Sequence, residues 1–272
     1  MNFDIVSYII TILQMAVLGV LIFMVGRKLK NEGSSVILCF CLYALICILL
    51  NDLYWLASDI LKPDIRIPFG AGDIADSGTF LLFAAMLGVI YKKEKIKYGI
   101  EALLVVGFSV AVTILWIGWT DEWLKNIVGG ITFAFFMWQV IIAVKKSAAL
   151  NRIEAVLLAF LSYTVIAVMI TSQYIDEETQ PILDTIGNII LVVGMVLLLT
   201  QSIFTFTKAI KAKVSSDAKK LLAVNFLAMI WTLNATYMCE DPLYSIEDLI
   251  YTGLLAMMLI SLFMTMERMK NQ

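Results

Sequence analysis

Histidine is absent from the 272-residue chain, and proline, cysteine and charge are all scarce, at four, four and 15% of residues. Each shortage removes something. Without histidine there is no Ser–His–Asp or Cys–His catalysis, no His-ligated zinc and no His-ligated haem. Proton chemistry is left to carboxylates, Tyr, Lys or Cys. Three of the cysteines, Cys39, Cys41 and Cys47, fall in one apolar run and Cys239 stands apart. That spacing makes neither a metal knuckle nor a disulfide framework. No basic run interleaved with aromatics occurs, so no nucleic-acid partner is expected. Phosphate loops, dinucleotide fingerprints and nucleophile elbows are missing too, so no cofactor and no metal are implied.

What the chain has in quantity is apolar surface. It is 61% hydrophobic with a mean hydropathy of +0.91, where a soluble domain is about 45–50% apolar. One water-soluble core cannot hold that excess, so part of the solvent is lipid. Nine segments are long and apolar enough to cross a bilayer, which takes about 20 residues. They are 5–26, 35–57, 73–91, 99–119, 123–144, 152–173, 181–207, 218–239 and 246–267. The fold class expected is an all-α, polytopic membrane helical bundle of about nine spans, one transmembrane domain over 1–272 with no soluble domain. Seven spans is the rival count.

Charge placement sets the expected orientation. Seventeen of the 20 basic residues fall in alternate connections: Arg27 to Lys30, Lys92 to Lys97, Lys145 to Arg152, Lys208 to Lys220, and Arg268 and Lys270. Short basic loops stay in the cytoplasm, which predicts the N-terminus outside and the C-terminus inside a cell membrane. The leader "MNFD" has no positive charge, so the first span is expected to stay as an anchor. The opposite side is acidic and holds only three basic residues, Lys62, Arg66 and Lys125. All four prolines lie in or beside its loops, which predicts uninterrupted spans. Trp55, Trp116, Trp119, Trp123 and Trp231 fall near the same side, as interfacial rings do. Glycines concentrate in the odd spans, which are therefore expected to form the close-packed interior. A weak internal echo, L-N-x-x-Y at Leu50–Tyr54 and Leu233–Tyr237, suggests a duplicated hairpin.

The candidate site lies among the outer acids. Asp73, Asp76, Asp184, Glu247 and Asp248 occupy the first turns of odd spans, where a carboxylate caps free N–H groups and meets the positive end of the dipole. Asp52 is placed differently. It sits near the C-terminal end of the second span, against its dipole, beside Asn51, and an acid within a span is normally paired and inward-facing. Arg66 is the expected partner, because guanidinium grips carboxylate in a bidentate fork. Asp73 and Asp76 are three apart and share a helix face. With Asn51, Asp52, Arg66 and Asp184 they outline an acidic vestibule for a cation or amine, unless each acid is simply a cap or a structural pair. Gln14, Gln139, Asn188, Thr200, Gln201 and Asn225 lie deeper and suit interhelical contacts.

No motif in the chain carries a family resemblance. Three readings follow: a non-enzymatic sensor or accessory module binding a small molecule or lipid at its outer face, a transporter or channel for a cationic or zwitterionic solute, and a carboxylate-dependent enzyme acting on lipid. Membrane lipid is the expected partner; the residues name no protein partner.

Overall fold

The computed structural model describes residues 2–33, 35–61, 70–91, 99–120, 122–175, 179–212, 215–236 and 243–270. These form nine helices and no strands: α1 (Asn2–Glu32), α2 (Val36–Leu61), α3 (Ala71–Ile90), α4 (Ile100–Thr120), α5 (Trp123–Ser147), α6 (Arg152–Ser172), α7 (Gln180–Ala212), α8 (Ser215–Thr236) and α9 (Leu243–Lys270). Each coincides with one of the nine apolar segments. Long apolar runs without internal proline leave the backbone only its own hydrogen bonds, and in lipid a helix is the way a single segment satisfies them. Pro181 is the second residue of α7, in the first turn, where a missing N–H breaks no helical bond. Gly33, with φ +79°, follows the end of α1 in the left-handed conformation that closes helices. Asn151 caps α6 reciprocally: its Oδ1 accepts from Glu154 N at 2.9 Å and its N–H donates to Glu154 Oε2 at 2.8 Å.

Eight of the nine described helices are long and apolar enough to cross a membrane, which is the build of a multi-pass helical membrane protein. The exception is α8, which carries Asp217, Lys219, Lys220, Asn225, Thr232 and Asn234. It is also the helix with the least need of an apolar surface. Every residue from Leu221 to Phe226 is buried, and again from Ala228 to Thr232. A helix surrounded by protein can carry polar groups if its neighbours answer them.

By their contacts the helices divide into two compact units, residues 1–139 and 140–272. In the first, α2 packs against both α1 and α3. Its core is aromatic. Phe133 of α5 meets Phe80 at 5.6 Å and Trp116 at 5.6 Å, both edge to face, and Phe136 stacks on Phe80 at 5.8 Å.

In the second unit, α8 packs against α7 and α9, and α6 against α7. Asn225, fully buried, ties three helices together. It accepts from Ser202 Oγ of α7 and donates to Ser261 Oγ of α9 at 3.4 Å. Trp231 Nε1 donates to Leu191 O of α7 at 2.9 Å, and its ring lies against the bare Cα of Gly194.

Two expectations change here. The close-packed interior of the second unit is an even helix, α8, which has no glycine; the glycine is on its neighbour, where the large ring of α8 needs room. Gly19, Gly26 and Gly253, on odd helices, have open space around them. Trp116 and Trp231 are not interfacial rings. They are 7% and 8% exposed and belong to the unit cores.

Candidate functional site

The α2–α3 hairpin and the start of α5 bring polar residues together at one end of the first unit. Gly72 makes the approach possible. A Cβ there would stand 2.7 Å from Asn51 Oδ1 and 2.8 Å from a Tyr54 ring carbon, closer than a Cβ tolerates, and a tight 3.3 Å from Trp55 Nε1. With glycine at this point, α2 lies close enough for Asn51 Nδ2 to donate to Asp76 Oδ1 at 2.9 Å. Asn51 Oδ1 is then buried against α3 with no hydrogen-bond donor.

Asp73 has a separate set of partners. Its Oδ2 accepts from Gly70 N at 2.8 Å, so it caps its own helix. Its Oδ1 pairs with Lys125 Nζ of α5 at 3.4 Å. Lys125 also pairs with Glu122 at 3.0 Å. The Lys125 and Asp73 side chains are only 16% and 13% exposed, so the pair is sheltered from solvent screening.

Asp52 is half-buried on α2 and, with Asp73 and Lys125, lies within electrostatic reach of Asp76. The cluster among the described residues is therefore Asp52, Asp73, Asp76 and Glu122 around the single ammonium of Lys125. Tyr54 and Trp55 stand beside it with ring centroids 5.6 Å apart, edge to face. One turn further into the helix, Phe80 opens the aromatic core.

Of the residues marked in the sequence, Asn51, Asp52, Asp73 and Asp76 are thus neighbours. Arg66, the expected partner of Asp52, lies outside the described residues. Asp184 is the fifth residue of α7, half-buried, and belongs to the second unit. The basic residue seen at the cluster is Lys125, on Asp73 and Glu122. The ends of both α5 and α3 had to be known for that pairing, since the three residues are spread over 50 positions. Gly72 gave no sequence signal of its own; only the crossing helix makes it necessary.

Among the described residues no group of three His, Cys, Asp or Glu side chains is arranged to hold a metal ion. The carboxylates have different partners: Asp73 and Glu122 share Lys125, and Asp76 takes Asn51.

Comparison with family models, with curated proteins and with solved structures returns no match.

Proposed function

We propose that this protein is a non-enzymatic membrane module of the cell membrane that binds a small amphiphile or lipid with a positively charged head at the acidic end of its first unit. The reading takes that end as the outer face, following the distribution of Lys and Arg. The observation that supports it is the excess of carboxylate over ammonium among the described residues. Lys125 is held by Asp73 and Glu122, while Asp76 accepts an amide hydrogen bond from Asn51 and lies within electrostatic reach of Asp52. A sheltered acidic rim beside a Tyr–Trp pair suits an ammonium head, which gains from both carboxylate charge and aromatic faces. The exposed apolar flanks of the helices, Leu53 and Ile74 among them, suit an apolar tail.

The test is binding of alkylammonium amphiphiles of graded chain length to the purified protein in nanodiscs, read as a rise in thermal midpoint by mass action. Asp76→Asn is expected to weaken binding of the cationic series and to leave neutral analogues of the same length unchanged. Equal binding of both series by both proteins rules the reading out. Parallel assays separate the alternatives: uptake into proteoliposomes supports a transporter, and chemical change of the lipid supports an enzyme.

A further inference from the structure

Glu247 is the only charged residue buried among the described residues, with an exposure of 0%. It is the fifth residue of α9, inside the span Ile246–Lys270. Asn234 stands at the matching end of α8, third from its end, and is 5% exposed. The two helices pack side by side. At about 1.5 Å per residue, Glu247 lies about 6 Å and Asn234 about 3 Å along from the ends at which the helices are joined. Both therefore belong to the same end of the second unit.

The Asn234 amide has a definite orientation. Its Nδ2 donates to Ile230 O at 2.8 Å, on its own helix. Its Oδ1 is left buried with no donor. A buried acceptor with no donor attracts a proton donor or a cation. No ammonium or guanidinium of this unit lies near that level, because residues 153–207 and 221–267 contain neither Lys nor Arg. The end of α8 adds to the demand, since the last carbonyls of a helix carry its negative partial charge and lack helical partners.

We infer that the Asn234–Glu247 end of the α8–α9 pair binds a monovalent metal cation such as sodium. The Glu247 carboxylate and Asn234 Oδ1 are its protein side-chain ligands, and the terminal carbonyls of α8 complete the oxygen shell. A single carboxylate balances a single charge. A divalent ion would call for more buried carboxylates, and Glu247 is the only one among the described residues. Membrane proteins hold sodium in this way, with helix-end carbonyls and few charges.

The experiment titrates sodium against N-methylglucamine at constant ionic strength on the full-length protein in nanodiscs. It reads bound radioactive sodium and the thermal midpoint. Saturable binding near one ion per chain, with a rise in midpoint, is expected. Glu247→Gln is expected to abolish both. Asn234→Ser, which keeps a hydroxyl acceptor of shorter reach, is expected to weaken binding roughly tenfold or more. Asp76→Asn is expected to respond to sodium as the wild type does, which separates this site from the acidic rim of the first unit. Absence of saturable sodium binding to the wild type overturns the inference. So does unchanged sodium binding in Asn234→Ser, which decides the matter even if Glu247→Gln fails to fold.

Discussion

The side-chain amide of Asn51 on α2 donates to Asp76 on α3 at 2.9 Å, across a hairpin whose two partners are 25 residues apart. The bond joins the two helices at the level where Asp52, Asp73 and Lys125 also gather. It is the contact that makes a group of scattered acids into one rim. Replacing Asn51 by Leu removes the donor and leaves the partly buried carboxylate to compete for water. The expected loss of stability is about 1–3 kcal/mol, measured by reversible unfolding in mixed detergent. Asn51→Asp, which sets a second negative charge against Asp76, is expected to be worse than Asn51→Leu.

Lys125 neutralises part of the rim through Asp73 and Glu122. Lys125→Ala is expected to lower stability by about 1–3 kcal/mol, because both ion pairs are largely sheltered and the substitution leaves two carboxylates without their ammonium. Its effect on binding runs the other way. With one positive charge fewer, affinity for an alkylammonium amphiphile rises, and the rise shrinks as salt is added. Titration at two ionic strengths checks the sign.

Gly194 receives the six-membered ring of Trp231, and an added methyl group would fall within that ring. Gly194→Ala must displace Trp231 and its bond to Leu191 O, which costs about 1–3 kcal/mol as overpacking. A shift in tryptophan fluorescence should accompany it. Gly19→Ala is the matched control. Nothing lies within 4 Å of its added methyl group, so stability should change by less than about 1 kcal/mol.

Asn225 links Ser202 and Ser261, and all three side chains are buried. Asn225→Ala and Ser202→Ala are each expected to destabilise by about 0.5–2 kcal/mol. Combined, they should cost less than their sum, since the second substitution removes a partner already lost. A double-mutant cycle measures that coupling; strict additivity would mean the bond contributes nothing.

A helix as polar as α8 is not expected to stop in the membrane by itself. A chain ending after Thr236 should leave a C-terminal reporter mostly on the side where α7 ends. The reporter after Lys270 should lie on that same side, because α8 and α9 then cross together. Glycosylation or alkaline-phosphatase fusions at the two positions test this. Efficient crossing of the shorter chain would show that α8 inserts without α9.

The sequence by itself determined the class and the place of each described helix, with several ends three to six residues from where the helices stop, as at Glu32 and Ala212. Backbone polar groups in lipid have few solutions, and apolar length is a local property that can be read one segment at a time. It also marked Asn51, Asp52, Asp73 and Asp76, because an acid in or beside an apolar run is conspicuous wherever it points. Tertiary structure decided which of these residues meet. Asp73 goes to Lys125 and its own helix start, and Asp76 goes to Asn51. These pairings depend on crossing points that no local pattern records, such as the passage of α2 over Gly72. Tertiary structure alone also showed α8 to be a core helix. Hydropathy measures what a segment would meet if lipid surrounded it, and α8 is surrounded by α7, α9 and their hydrogen-bonding groups instead.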